Sequence, residues 1–404
     1  MPIANGHSAS ILIVFACLAM TAPSVQTQSI TRLDGSTISA AYADSFARRI
    51  LAENKVTGAE IAIVNDGRIV WSAAYGQRHH DPSRPMDNET VTWAASITKS
   101  VFATYVMSLV ERGQFDLDVP IATQLRAPLD TYEQYREIAT ELVKDPAWPR
   151  VTPRILLAHT SGLGNLWQFA KDKKLHLLFP PGSKYSYSGD GINLVQFVIE
   201  QKFGTHLDTL MADAIFTPLG MSRTGMIYRT AFESNVADRF GIDDNFLAQT
   251  RRYPARGAGS MMSTAEDIAR FAAALLNDRI ITPKTRAAML KPSVEIRTLH
   301  QFAIAENEPP GKEAADVGLA YGVGWGLLTK TRFGPAFFKE GHGDGAQNYM
   351  ICFERSRSCM IVLTNSDNGE LAFRPLFETL LGDTVTPWEW EGYTPSYIMS
   401  LRGR

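Results

Sequence analysis

The alternation of apolar and polar residues predicts β-strands near both ends of the chain. The apolar segments 60–64 and 68–71 surround Asn65-Asp66-Gly67. An Asp-Gly pair between β-forming residues is a strong hairpin signal. Residues 349–353 and 360–364 are also apolar and flank a short polar turn, which predicts a second strand pair. A sheet built from both ends of the sequence is therefore expected.

Outside these strands the spacing of apolar residues becomes helical. Residues 37–54, before the first strand, have helical periodicity, and a wide apolar stripe runs from Ser96 to a stop at Glu111-Arg112-Gly113. The chain then reads as mostly helical to about residue 250, with loops rich in Pro and Gly, and residues 371–381 predict a closing helix.

This order of elements predicts one α/β lobe with a second lobe inserted into it. The α/β lobe takes residues 29–92 and 255–404, and the mostly helical lobe takes residues 93–254, so residues 29–404 form one domain. The chain has 404 residues, 45% of them hydrophobic, and can bury a large core. A net charge of −2 without a long basic stretch argues against a nucleic-acid partner.

The N-terminal region contains one strongly apolar stretch, residues 11–20. It is too short to span a bilayer but has the length of a signal-peptide core, so we predict a signal peptide over residues 1–28 and no membrane span. The protein is then exported, to the periplasm or outside the cell. The alternative is an uncleaved or wrongly assigned start.

Of the three cysteines, Cys17 would leave with the signal peptide. Cys352 and Cys359 flank the polar turn of the C-terminal strand pair and can face each other across it. A cross-strand disulfide and a pair of free, buried thiols both fit this pattern.

The tetrapeptide Ser96-Ile97-Thr98-Lys99 is the candidate reactive centre. Residues three apart at a helix start share one face, so the Lys99 amine can reach the Ser96 hydroxyl and deprotonate it. The positive end of the helix and burial both lower the pKa of the lysine, which helps it act as a base. Any Ser-x-x-Lys can also be a solvated first turn, but the buried helix argues against that reading.

Such a pair needs a further group to carry a proton to the leaving group, and donors for the developing oxyanion. A loop with Tyr185 and Tyr187 precedes the apolar helix 192–199. The chain has no G-x-S-x-G turn and no P-loop. No histidines are spaced as metal ligands, so neither metal nor cofactor is predicted.

With these motifs, the sequence resembles the serine β-lactamase and penicillin-recognising family, in its branch of class C β-lactamases, DD-peptidases and related esterases. The resemblance covers nearly all of the mature chain and rests on six landmarks in the order of the family: Ser96-Ile97-Thr98-Lys99, residues 156–163, Pro181-Gly182 leading into Tyr187-Ser188, residues 217–221, Gly257-Ala258-Gly259-Ser260, and residues 321–325. It implies an α/β (α+β) fold with a central antiparallel sheet flanked by helices.

The resemblance also implies the roles of three side chains. Ser96 is the acylated nucleophile, Lys99 is its base, and Tyr187 passes a proton to and from the leaving group. A cationic lysine beside Tyr187 would lower the pKa of its phenol. Without the family match, Tyr187 would first be read as an aromatic packed under the helix that follows.

The sequence departs from the family in its second motif. The family usually has Tyr-x-Asn, whereas this chain has Tyr187-Ser188-Gly189, so the amide that would hold a substrate carbonyl or the lysine is missing. Asp190 lies nearby in sequence without replacing that amide. We assign Ser188 to substrate binding.

The third motif, usually Lys-Thr-Gly or His-x-Gly, has two registers in Lys339-Glu340-Gly341-His342-Gly343-Asp344-Gly345. Counting back from Tyr349 places His342 first in the motif, and starting at Lys339 gives a Lys-x-Gly. We favour His342 as a catalytic residue, with the N–H of Gly345 as oxyanion donor beside that of Ser96. A structural loop histidine is the alternative.

These observations predict a serine hydrolase that forms an acyl-enzyme on Ser96 and acts on small-molecule or peptide-like esters or amides. A β-lactamase or DD-carboxypeptidase is the alternative, placed second because both departures affect positions that grip a β-lactam. A non-catalytic penicillin-recognising sensor is the alternative of another class, and it has no need for Ser96, Lys99 and Tyr187 together. The sequence leaves the oligomeric state open.

Overall fold

A computed structural model describes residue 1 and residues 29–302 and 312–396. Its strands are β1 (Ser29–Thr31), β2 (Thr37–Ser39), β3 (Gly58–Asn65), β4 (Arg68–His80), β5 (Ser83–Pro85), β6 (Thr92–Trp93), β7 (Asp238–Phe240), β8 (Phe246–Gln249), β9 (Met262–Ser263), β10 (Val294–Glu295), β11 (Leu319–Tyr321), β12 (Gly326–Leu328), β13 (Ala336–Gly343), β14 (Ala346–Phe353) and β15 (Ser358–Thr364).

Nine of these strands form one antiparallel sheet in the order β10-β11-β12-β13-β14-β15-β3-β4-β5. The hairpin β3–β4 therefore joins the C-terminal strand β15 in the middle of the sheet, as the apolar pattern predicts. Three two-stranded pairs, β1–β2, β6–β9 and β7–β8, lie outside it. The pair β6–β9 is short but places residues 92–93 directly beside residues 262–263.

The α-helices are α1 (Ala40–Glu53), α2 (Ile97–Glu111), α3 (Ile121–Gln124), α4 (Pro153–Leu157), α5 (Gly189–Phe203), α6 (Leu207–Met211), α7 (Ala265–Leu276), α8 (Pro283–Met289), α9 (Lys312–Asp316), α10 (Gly369–Leu376) and α11 (Trp388–Glu391). In α2, every residue from Ile97 to Leu109 is buried, so this helix lies inside the molecule. Ser39 caps α1 by accepting a hydrogen bond from the N–H of Tyr42.

The sheet has an apolar core on each face, because successive strand residues point to opposite sides. One core contains Phe337 of β13 and the buried residues of α2, α5 and α7. The other contains Phe338 and the buried residues of α1 and α10. Adjacent residues of β13 thus belong to different cores, and this alternation decides which of its side chains face α2.

The fold class predicted from the sequence is confirmed: a large antiparallel sheet is flanked by helices. The prediction was least accurate between residues 112 and 188. The described helices there are only α3, α4 and single 3₁₀ turns, so this part is less helical than the mostly helical stretch predicted from the sequence. Prolines such as Pro120, Pro128 and Pro146 interrupt this region, and a proline in the interior of a helix removes a hydrogen bond and destabilises it.

Cys352 and Cys359 are joined by a disulfide between directly opposed residues of β14 and β15. Of the two arrangements that the sequence leaves open, the structure therefore has the cross-strand bond. The predicted signal peptide lies outside the described residues, apart from residue 1. Within the described ranges, no helix is both long enough and apolar enough to cross a membrane.

Candidate active site

Ser96 lies immediately before α2, at the point where the strand pair β6–β9 leads into the helix. The N–H of Ala94 donates to the carbonyl of Met261 (2.9 Å), which holds this segment against residues 258–263. Ala95 has a φ of 45°, in the left-handed region that a residue with a Cβ rarely adopts. Such backbone strain clusters at functional sites, and here the strained residue directly precedes Ser96.

Lys99 occupies the first turn of α2 and is buried. Its Nζ donates to Ser96 Oγ (2.9 Å) and to the carbonyl of Ala258 (2.5 Å). Burial, followed by repulsion from the Lys339 ammonium, holds the pKa of Lys99 well below its usual value. A neutral amine in contact with a hydroxyl is an arrangement that can take the hydroxyl proton.

Tyr187 lies over the same hydroxyl. Its phenol interacts with Ser96 through a hydrogen bond, and its ring centroid is 4.8 Å from Lys99 Nζ and 4.9 Å from Lys339 Nζ. The structure thus brings Ser96, Lys99 and Tyr187 together, as the sequence predicts. It also adds Lys339, whose Nζ donates to the Tyr187 hydroxyl (3.3 Å).

The expected pKa of Tyr187 was wrong in direction. Burial raises it well above the usual value, and the negative charge of Glu340 raises it further, while the hydrogen bond with Ser96 lowers it. The neighbouring lysines do not outweigh the loss of solvent around the phenolate. Tyr187 is therefore a neutral phenol and a proton donor in the resting site.

Lys339 and Glu340 form a buried ion pair at the centre of the site. Burial lowers the pKa of Lys339 on balance, although the charge and hydrogen bond of Glu340 oppose that shift. A side chain such as Lys339 that is fully enclosed with a carboxylate partner can keep its ammonium without water. The Lys-Thr-Gly form of the family's third motif has a neutral threonine where this chain, in the register that starts at Lys339, has the charged Glu340.

The structure does not place His342 where the favoured register predicts it. Its Nδ1 lies 2.6 Å from Glu370 Oε1, and its side chain is 46% exposed. Burial lowers the pKa of His342, but the hydrogen bond and charge of Glu370 raise it together with the charges of Asp367 and Glu340, so the net shift is upward. Because neighbouring strand residues alternate in direction, it is Lys339, three residues earlier, that lies against Tyr187.

Gly345 is also displaced from its predicted role as an oxyanion donor. Its N–H donates to Asp367 Oδ1 (2.6 Å), in the turn between β13 and β14. The strand residue that packs against the segment before Ser96 is instead Gly341. A Cβ at this position would lie 2.4 Å from the carbonyl oxygen of Ala94. Counting from His342 therefore placed the oxyanion donor too far along the hairpin.

The edge of β13 near Ser96 is available for hydrogen bonding. Strand β12 pairs with Ala336–Phe338 only, and β14 covers the other side of β13, so on the described chain Lys339–Gly343 have no strand partner on the β12 side. Alternate N–H groups of such a strand point outward. In the described part of the chain, the N–H of Ser96 likewise has no acceptor. The N–H of Ser96 and the outward N–H groups of β13 are therefore both candidate donors to an oxyanion.

Ser188 does not face Ser96 as a substrate ligand. Its buried hydroxyl accepts the N–H of Gly191 (3.0 Å), which caps α5, and donates to the carbonyl of Gly164 (2.8 Å). The N–H of Gly189 likewise donates to the side chain of Asn165. Asp190 accepts the N–H of Trp167, and burial raises its pKa to about 7.

Asn193 is a residue of the site that sequence reasoning missed. It lies on α5 one turn after Gly189, where the family's amide is absent. Its Oδ1 accepts the N–H of Ala258 (3.2 Å), the residue whose carbonyl binds Lys99. The i, i+4 spacing that brings helix residues onto one face could have pointed to Asn193.

His159 lies within the landmark segment 156–163, and its ring packs at a tilt against Tyr187, with 4.5 Å between the two centroids. Its Nδ1 accepts the N–H of Ser188 (3.1 Å). Burial, then the charges of Lys339 and Lys99, hold the pKa of His159 well below its usual value, so the ring is neutral and fixes the loop that carries Tyr187. No group of side chains in the described ranges could hold a metal ion.

Comparison with known proteins agrees with this arrangement. The family model for beta-lactamase matches residues 43–381. Esterase EstB of Burkholderia gladioli is 27% identical over 318 residues, which are 66% of this chain and 77% of that protein. Penicillin-binding protein 4 of Amycolatopsis lactamdurans is 24% identical over 352 residues, or 82% of this chain and 86% of the relative.

Among solved structures, the octameric penicillin-binding protein homologue from Pyrococcus abyssi superposes with a TM-score of 0.67. It is 21% identical, and the match covers 87% of this chain and 79% of that one. At this identity the likeness shows the fold alone. The family match spans most of the sequence and includes the segments that carry Ser96, Lys99, Tyr187 and Lys339. The chain therefore belongs to the β-lactamase family and is a serine hydrolase.

Proposed function

We propose that the protein hydrolyses esters and amides through an acyl-enzyme on Ser96, and that simple esters are better substrates than β-lactams. The observation that carries this is the contact of 2.9 Å between Lys99 Nζ and Ser96 Oγ, made by a buried lysine with a lowered pKa. A hydroxyl in contact with a neutral amine is an activated nucleophile.

In the acylation step, Lys99 takes the proton of Ser96 Oγ while Oγ bonds to the substrate carbonyl carbon. The electron pair of the carbonyl moves to its oxygen, to which the N–H of Ser96 and an outward N–H of β13 donate hydrogen bonds. The bond to the leaving group then breaks, and the neutral phenol of Tyr187 gives that group its proton. Lys99 returns a proton to Tyr187, and attack of water on the acyl group reverses the sequence.

The order of preference between substrates rests on Lys339 and Glu340. A lysine that is free to bind an anion would attract the carboxylate of a β-lactam, but Glu340 already occupies this ammonium. A second carboxylate at this end would meet Glu340 and be repelled. The amide missing at Gly189 weakens the hold on a β-lactam side chain as well.

The test is a panel of 4-nitrophenyl esters, D-amino-acid amides and cephalosporins, assayed with wild type and Ser96→Ala. We expect ester hydrolysis that Ser96→Ala abolishes, and an acyl adduct on Ser96 by intact mass. Hydrolysis that survives this substitution would overturn the mechanism, and rapid cephalosporin turnover would reverse the order of substrates. An adduct that never releases would instead support a non-catalytic sensor.

We also infer that the protein works outside the cytoplasm. The apolar segment 11–20 and the disulfide between Cys352 and Cys359 support this, because disulfides persist in oxidising compartments. Fractionation of cells that express the full chain tests it, together with the mass of the mature N-terminus. A full-length protein in the cytoplasmic fraction would contradict it.

A further inference from the structure

Two arginines stack on Trp93, three residues before the nucleophile. The Cζ atom of Arg252 lies 4.0 Å from the ring centroid of Trp93, and that of Arg239 lies 5.3 Å from it. A guanidinium over an indole face is attracted by the ring quadrupole, and this contact orients both cations. We call Trp93, Arg239 and Arg252 the arginine–tryptophan cluster.

The position of Trp93 fixes this cluster at one end of the catalytic strand edge. Its Nε1 donates to the carbonyl of Gly259 (2.6 Å), and its backbone pairs with Met262. A Cβ on Gly343 would lie 2.4 Å from its ring, so the indole covers the end of β13. Lys339 lies four residues earlier on the same strand, where its Nζ contacts the Tyr187 hydroxyl. Ser96 follows Trp93 between these two ends.

The charge of the cluster is incompletely compensated. Arg239 donates to the backbone carbonyl of Asp344 (2.6 Å), and its pKa is lowered by burial although Asp344 and Asp367 oppose that shift. Burial also lowers the pKa of Arg252, and the charges of Arg239 and Arg256 lower it further.

Arg252 itself lacks a counterion. Over residues 29–302 and 312–396, it forms no ion pair, and its buried Nε has no hydrogen-bond partner. The Nε of Arg239 is buried without a partner as well. Neighbouring Arg251, by contrast, is paired with Glu233. A buried cationic donor without a hydrogen-bond partner is energetically costly. A bound anion would therefore stabilise this cluster.

We propose that the arginine–tryptophan cluster binds a carboxylate on the acyl part of the substrate. The proposal rests on the proposed function, in which Tyr187 protonates the leaving group at the Lys339 end. The opposite end of the strand edge then receives the acyl group. A planar carboxylate matches the fork of a guanidinium, and Arg252 has donors to offer it. The preferred substrates are thus monoesters or monoamides of dicarboxylic acids.

The test compares two esters of the same size, mono(4-nitrophenyl) glutarate and its neutral methyl ester, methyl 4-nitrophenyl glutarate. We expect wild type to prefer the acid in kcat/KM by about 10-fold or more, as a charge-assisted pair would give. Arg252→Gln should reduce this preference towards unity, while kcat/KM for the neutral ester stays within about 2-fold. Arg252→Lys should give an intermediate preference, because it keeps the charge and loses the fork.

Arg251→Gln is the matched control, since Arg251 is adjacent in sequence and already paired with Glu233. It should keep the preference for the acid. The preference should also fall with added salt in wild type and not in Arg252→Gln.

The outcomes separate this inference from the function on which it rests. Hydrolysis of both esters that depends on Ser96 but shows no preference for the acid overturns the carboxylate site and leaves the hydrolase intact. An equal loss on both esters in Arg252→Gln, with Arg252→Lys behaving likewise, shows a structural role and also overturns it. No hydrolysis of either ester overturns the proposed function and the inference together.

Discussion

Lys99 and Lys339 are both buried beside Tyr187, yet their surroundings differ in one respect. Lys99 donates to a hydroxyl and a carbonyl, whereas Lys339 is paired with the Glu340 carboxylate. Burial without a counterion favours a neutral amine, and burial with one preserves the ammonium. The same residue type thus supplies a base on the helix and a fixed charge on the strand. The difference shows that the partner, more than burial, decides the role.

The sharpest way to break this comparison is to exchange the base for a permanent charge. Lys99→Arg keeps a long cationic side chain that cannot be deprotonated, so we expect kcat to fall by about 10³- to 10⁴-fold, in the upper part of the roughly 10²- to 10⁴-fold range of general acid–base catalysis. Single-turnover kinetics on a 4-nitrophenyl ester measures it. Lys339→Arg is the matched control and should lose far less. Equal losses in the two variants would contradict the distinction.

Removing the proton donor between the two lysines should have the next largest effect. Tyr187→Phe keeps the ring that both lysine side chains contact and deletes the hydroxyl. We expect about a 10²- to 10³-fold loss of kcat on amides. The loss should be smaller on 4-nitrophenyl esters, whose leaving group needs no proton. The same loss for both substrates would argue that the hydroxyl only holds the site together.

Glu340→Gln tests the counterion directly, through the pH dependence of the rate. The Glu340 charge raises the pKa of Lys99, Lys339 and Tyr187, so its removal should lower all three. Because the base must be deprotonated and Tyr187 protonated, both limbs of the kcat/KM profile should move to lower pH. We expect about a 10-fold rate loss at neutral pH, the size of one lost charge-assisted interaction. Glu378→Gln, which alters an exposed carboxylate paired with Arg374, should leave both limbs in place.

The smallest expected effect on activity comes from the sheet behind the site. The double substitution Cys352→Ala and Cys359→Ala removes the disulfide that joins β14, the neighbour of β13, to β15. We expect the free energy of unfolding to fall by roughly 2–3 kcal/mol for so short a loop, with kcat within about 2-fold of wild type. Urea titration and ester assays measure the two. A large loss of kcat in the folded variant would show that the disulfide also sets the position of Lys339.

The helix side of the site could be predicted from the sequence because its geometry is local. Ser96 and Lys99 are one turn apart, so helical periodicity alone brings them together. The strand side depends on register over β13, where a shift of one residue reverses the direction of every side chain. His342 was therefore favoured over Lys339, and Gly345 over the edge near Gly341. Arg252 and Trp93 meet only through tertiary pairing, and nothing in their local sequence indicates the contact.

The uncovered stretch of β13, Lys339–Gly343, has a consequence for the breadth of substrates. At about 3.3 Å per residue it offers roughly 16 Å of backbone, enough for a short extended molecule and too little for a long strand. Recognition along this stretch relies on hydrogen bonds to main-chain groups, which any ester or amide of suitable length can form. Discrimination is then concentrated at the two ends of the edge, and changes there should redirect the enzyme to new substrates without rebuilding its catalytic centre.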